Sequence, residues 1–266
     1  MEGHAVAPAR IFDAVCDGRP YEVIRWLASV AAPRDVVNCI DPVEPGSNAT
    51  LLSCATFGVP FDARHVKLVR LLISHGANVN QIETDGASPL INVLHFFGPD
   101  CSGKAVIDII SSLVSAGADV NWEGRYVGFP IAMVIEKLLN RRRPETTVLA
   151  EVVTILLRAG ASVDSSSASN VSGWQAMRSL PSSAGQTVDE YAKLVADPHF
   201  LALRAQINGV HAAGSWRAYI MAPRLEILTL RGLANRGKIR STDPALNNLV
   251  ALPNELICQV LAFWFG

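Results

Sequence analysis

Metal binding and nucleophilic catalysis need particular side chains at particular spacings, so the histidines and cysteines come first. The six histidines stand at 4, 65, 75, 95, 199 and 211, and the five cysteines at 16, 39, 54, 101 and 258. There is no CxxC, and no Cys–His pair has metal-ligand spacing. P-loop, GxGxxG, HExxH and GxSxG motifs are all missing. His75 directly precedes a helix-stopping glycine, which suits a polar cap, and His95 reads as a structural or interface residue. The sequence therefore points away from an enzyme, with no catalytic residue, metal site or cofactor to name.

Composition narrows the classes further. Of 266 residues, 50% are apolar and 18% charged, enough to bury a core and too apolar for wholesale disorder. Lys+Arg total 23 against Asp+Glu 24, a net charge of −1, so the chain as a whole has no electrostatic reason to bind nucleic acid or an acidic membrane. The longest charge-free stretch, Pro45 to Phe61, holds Gly46, Ser47, Asn48, Gly58 and Pro60 and makes a poor membrane span. The N-terminal MEGHAVAPAR lacks the basic start and apolar run of a secretory signal. An odd, scattered cysteine set reads as reduced thiols. The expectation is an intracellular, cytoplasmic protein, with the nucleus as the alternative compartment.

The elements that position these residues repeat. LISHGANVN (72–80), LVSAGADVN (113–121) and LLRAGASVD (156–164) superpose, and a glycine-less fourth copy, SVAAPRDVVN, spans 29–38. The Val-Asn/Asp dipeptides begin at 37, 79, 120 and 163, in steps of 42, 41 and 43. An apolar helix leads into each copy, for example Val66, Val69 and Leu72. Gly76, Gly117 and Gly160 then sit where a helix end needs a left-handed residue. Ser88 can cap a new helix, with Pro89 in its first turn. The spacing predicts helices near 9–16, 20–30, 51–57 and 63–75, and repeats over about 86–121 and 128–164. Thr187 and Glu190 form a capping box for a later helix.

DGASPL (85–90) and the G-A-x-V-N segments resemble the ankyrin repeat, over about residues 8–165. The family period is about 33 residues. The surplus here falls between the two helices of a repeat, at GPDCSGK (98–104) and NRRRPETT (140–147). The resemblance implies an all-α ankyrin-repeat solenoid of about four to five long repeats with a C-terminal helical cap. The expected divisions are 8–170 for the repeats, 171–199 for a degenerate fifth and 200–266 for the C-terminal segment. It also implies a protein partner, held along the fingers and concave face. Candidate contacts are Glu83 and Asp85 on one finger and Trp122, Arg125 and Tyr126 on the next, the last three being residue types enriched in interface hot spots. The Arg141–Arg143 run is a solvated loop or a partner contact.

The tail carries a second pattern. From Phe200 to Thr242 there are seven Lys/Arg and one acid, Glu226, without the interleaved aromatics of a nucleic-acid binder. Leu225 and Leu228 share an apolar face, and Leu252, Leu256, Val260 and Leu261 form a stripe ending on Phe263 and Trp264. A solenoid needs its ends capped, which gives these helices a structural role. LPNEL…VL also resembles the opening of an F-box-like helix and the cullin-contacting half of a SOCS box, and PRLEILTLRGL resembles that box's elongin-binding half. Thr229 stands where the SOCS box prefers cysteine. That resemblance implies a scaffold docking through Leu252, Leu256, Leu261 and Trp264 into a larger assembly. The alternative it implies is a substrate-recognition subunit of a cullin-type ubiquitin ligase.

Overall fold

In the computed structural model the described residues are 7–57, 60–125, 128–138, 144–164, 175, 188–237, 244–253, 256, 257 and 259. Among them there are α-helices, one 3-10 turn at Pro45–Ser47 and no strand. Extended backbone pairs only at two isolated bridges, Ile40 with Thr50 and Gly124 with Gly128. The all-α stack expected from the repeats is the fold found. The chain divides into two compact units, 1–207 and 208–266.

The first unit is a series of helix pairs. These are α1 (Ala9–Cys16) with α2 (Pro20–Ser29), α4 (Leu51–Thr56) with α5 (Ala63–Ser74), α6 (Pro89–Phe96) with α7 (Gly103–Ser115), and α8 (Pro130–Leu138) with α9 (Thr146–Arg158). First helices stack on first helices and second on second. The sequence dictates the difference between the rows. Every residue of α4 is buried, so α4 is apolar or small all round, whereas α7 buries only Ala105, Val106, Ile109, Ile110 and Leu113 along one stripe. Each such side chain contributes about 1.5–3 kcal/mol on burial. Helix starts are capped by side chains. Thr50 accepts from Ser53 N–H, Ser88 from Ile91 N–H at 3.2 Å, and Ser102 from Ala105 N–H. Asp62 makes a capping box with His65. Burial opposes ionisation of Asp62, but hydrogen bonds from the Arg64 guanidinium, the His65 ring and two backbone N–H groups hold its carboxyl far below the ordinary range.

The helix exits set the register. Gly76, Gly117 and Gly160 have φ of +89°, +91° and +94°, the left-handed stop that the repeated glycines imply. His75 caps α5, its Nδ1 lying 2.9 Å from Leu71 O. The asparagine of the Val-Asn dipeptide, four residues beyond Gly76 and Gly117 and at Asn38 in the first copy, links one repeat to the next. Asn38 Nδ2 donates to Gly76 O (3.0 Å) while Asn38 Oδ1 accepts from Asn78 N–H (2.7 Å). Asn80 repeats this with Gly117 O and Asp119 N–H, and Asn121 with Gly160 O and Ser162 N–H. In the glycine-less first copy a short helix, α3 (Pro33–Val37), replaces the turn and buries Val36 and Val37, and Asn38 still reaches its partners.

Behind α9, α10 (Val188–Ala196) and α11 (Pro198–Ala213) follow, and Leu194, Phe200, Leu203 and Ile207 are buried. The Thr187–Glu190 capping box and most of the expected fifth repeat lie outside the described residues, as does the Arg141–Arg143 run.

The second unit contains α12 (Trp216–Asn235) and α13 (Pro244–Ala251), which pack together, with Arg231 donating to Leu252 O. No residue of α12 is buried. Of the tail's stripe, Leu256 is exposed while its neighbour Ile257 is buried, its N–H bonded to Pro253 O, and Val260 and Leu261 lie outside the described residues.

The ladder makes a stability prediction. Asn80→Ala removes both links and should cost about 1 kcal/mol. Asn80→Asp keeps the acceptor for Asp119 N–H but loses the donor to Gly117 O. Its deficit should therefore shrink as pH falls and the carboxyl regains an O–H. Urea denaturation across the acid range checks both.

Candidate binding groove

The fingers that follow α5 and α7 and the C-terminal ends of α4 and α6 border the groove. Finger two closes on itself: Glu83 N–H donates to Ala87 O, Gly86 N–H to Glu83 O, and Asp85 Oδ1 accepts from Ala87 N–H at 2.9 Å. It also holds its neighbours. Thr84 N–H donates to Ser47 O at 2.9 Å, and Asn48 Nδ2 to Ile82 O at 3.1 Å. On the other side Trp122 Nε1 donates to Gly86 O at 3.0 Å. Gly86, at φ +89°, lies so close to Arg125 that a Cβ there would meet the Arg125 Cβ at 2.8 Å. No side chain is tolerated at that crossing.

Below the fingers lies a cavity of about 170 Å³ lined by Phe57, Asp85, Ala87, Ile91, Asn92, His95, Phe96, Gly124 and Arg125. Phe57 and Phe96 meet edge to face with centroids 4.4 Å apart, and Phe57 remains 53% exposed. Asn92 is buried and donates to Glu83 Oε1 at 2.5 Å. Burial pushes the Glu83 carboxyl above its ordinary range, with Asp85 adding to the push and the Asn92 hydrogen bond working against it. Burial, and then the Lys137 cation, lower the His95 imidazole. Lys137 itself donates to His95 O and Phe97 O, closing the C-terminal end of α6.

Of the residues singled out in the sequence, Glu83, Asp85, Trp122 and Arg125 come together in this one region. Asp85 and Arg125 line the cavity directly. Glu83 supports it through Asn92. Trp122, 38% exposed, is partly committed to holding finger three on finger two. Tyr126, Leu261 and Trp264 lie outside the described residues, and Leu252 and Leu256 belong to the second unit. Phe57, Ile91 and Phe96 were missed by sequence reasoning. Their only signal was an aromatic at the end of each of two otherwise buried first helices.

GPDCSGK (98–104) has glycine–lysine spacing like that of a phosphate loop, but Ala105 follows where a Ser or Thr would be needed. It joins two helices, and two of its backbone donors are already engaged. Cys101 N–H donates to Gly98 O, Ser102 N–H to Phe61 O and Ala105 N–H to Ser102 Oγ.

Comparison with known proteins bears on this groove. Residues 47–83, which run from the end of the first finger through α4 and α5 to Glu83, match the ankyrin repeat family model. The fold is an all-α ankyrin-repeat solenoid. Ankyrin repeats are in general protein–protein interaction modules and typically non-catalytic. No curated protein matches the chain. No helix among the described residues is long and apolar enough to cross a membrane.

Glu83 provides a pH test. A raised folded pKa means that the ionised carboxylate costs stability above that value, and that the cost disappears as pH falls to the ordinary carboxylate range. Glu83→Gln should therefore be at least as stable as wild type at neutral pH. The two should converge at about pH 4. Urea denaturation at both pH values measures this.

Proposed function

We propose that this ankyrin-repeat protein is a non-enzymatic interaction module that grips a protein partner in the groove of repeats two to four. The observation that carries this is the exposed Phe57, packed on the half-buried Phe96, in the wall of a 170 Å³ cavity. Small-molecule sites usually span about 300–1,000 Å³. A cavity of this size takes one side chain, which is what a protein surface offers. The cross-finger hydrogen bonds hold the groove rigid before binding, and preorganisation lowers the ordering cost of association. Phe57→Asp should abolish partner capture in an affinity purification while shifting the melting temperature little, since Phe57 is already half in water. Unchanged capture would move the site elsewhere.

A second reading concerns the C-terminal unit, and a separate observation favours it. Leu225, Leu228 and Leu256 are 58%, 45% and 46% exposed, and apolar residues left in water mark interaction surfaces. This unit docks the protein into a larger assembly; the cullin-type ubiquitin-ligase substrate receptor is the sharper form of that idea. Replacing Leu225 and Leu228 by Asp should leave the melting temperature nearly unchanged and remove cullin and its adaptors from the recovered proteins. Wild-type protein that never recovers them removes the ligase form and leaves the repeat groove untouched.

A further inference from the structure

The groove's chemistry also bears on which class of partner it takes. The three fingers are 38–49, 80–87 and 121–128. They carry Asp41 and Glu44 on the first, Glu83 and Asp85 on the second, and Glu123 and Arg125 on the third, five acids to one base. The hydrogen bonds from Thr84 to Ser47 and from Trp122 to Gly86 join the three fingers into one ledge. None of these five carboxylates is in an ion pair among the described residues. The second helices are arranged the other way. Arg64 pairs with Asp62 at 2.8 Å, and Arg70 and Lys104 both pair with Asp108 at 3.2 Å. Several charges on the second-helix face are thus paired within the chain, whereas no finger carboxylate is in an ion pair among the described residues. Arg125 lines the cavity beside Asp85, while Lys137 on α8 is turned onto the carbonyls of His95 and Phe97. His95 is held toward its neutral form, so it adds little positive charge to the cavity wall.

We infer that the occupant of this groove is a cationic segment of a partner protein, which seats one large apolar side chain against Phe57, Ile91 and Phe96 and sets Lys or Arg neighbours along the acidic finger ledge. The inference rests on the proposed role of the groove and adds the partner's chemistry to it. The apolar anchor supplies most of the binding energy in a desolvated pocket. The carboxylates select the sign of the flanking charge and speed encounter, because a predominantly acidic ledge attracts positive charge and repels negative charge.

The test pans a phage-displayed library of random linear peptides on the full chain. Enriched peptides should carry net positive charge and at least one Leu, Ile, Met, Phe or Trp. A synthetic peptide of an enriched sequence should bind more weakly as salt is raised, since exposed charge pairs are screened. The triple variant Glu44→Gln, Asp85→Asn and Glu123→Gln should weaken that peptide by about tenfold, the combined effect of three exposed pairs. Asp85→Asn keeps the oxygen that accepts the Ala87 N–H, so the finger should stay folded, and a thermal melt checks it. Phe57→Asp should abolish binding. Enriched peptides that are acidic or uncharged and are still lost with Phe57→Asp would overturn the cationic partner while the groove stands. Peptides that bind Phe57→Asp as well as wild type, or no enrichment at all, would overturn both.

Discussion

An asparagine side chain has a donor and an acceptor on one rigid amide plane, and the rest of this solenoid depends on both being used. Asn38, Asn80 and Asn121 each donate to the glycine carbonyl of the next helix exit and accept from the N–H two residues beyond it. A helix stack buried through Val, Leu and Ile could slide or rotate with little loss, because hydrophobic contact has no direction. The amide does have direction. It ties each helix exit to its neighbour in one register, and the fingers that leave those exits are therefore placed side by side. In the fourth copy an aspartate, Asp164, stands at the corresponding position.

From that placement the groove follows. Once the exits are in register, Thr84 reaches Ser47 and Trp122 reaches Gly86, and three fingers become a continuous ledge over α4 and α6. The ledge and the first helices then do different work. The helices present Phe57, Ile91 and Phe96 as an apolar seat, and the ledge presents carboxylates that are in no ion pair among the described residues. Separating packing from recognition in this way is what lets a repeat protein change its partner without changing its core. The second unit, with its exposed leucines on α12, offers a surface of a different kind, apolar and flanked by the basic residues of the tail.

Much of the fold was legible because the repeats state it several times over. Gly76, Gly117 and Gly160 could be recognised as helix stops from position alone, and Ser88-Pro89 as a helix start. What could not be read depended on partners far away in sequence. Lys137 closing the end of α6, Asn92 holding Glu83 and Gly86 making room for Arg125 each require knowing which repeat faces which. The finger residues Glu83, Asp85, Trp122 and Arg125 were visible by type, but Trp122 proved to be partly structural. Phe57 and Phe96 were invisible, since an apolar residue at a helix end is expected to be buried and only the structure leaves Phe57 open. In the tail, Leu256 and Ile257 are adjacent and equally apolar, so composition alone could not say which one faces inward.

The asparagine amides, rather than finger flexibility, set the register of the repeats. Native-state hydrogen exchange reads this directly at the backbone N–H groups of Asn78, Asp119 and Ser162, all of which lie on the exposed finger side. These three should exchange slowly, at rates comparable to N–H groups inside the adjoining helices, because each opens only when two repeats separate. Exchange at the rate of an unstructured peptide at these positions, with the helices still protected, would contradict it.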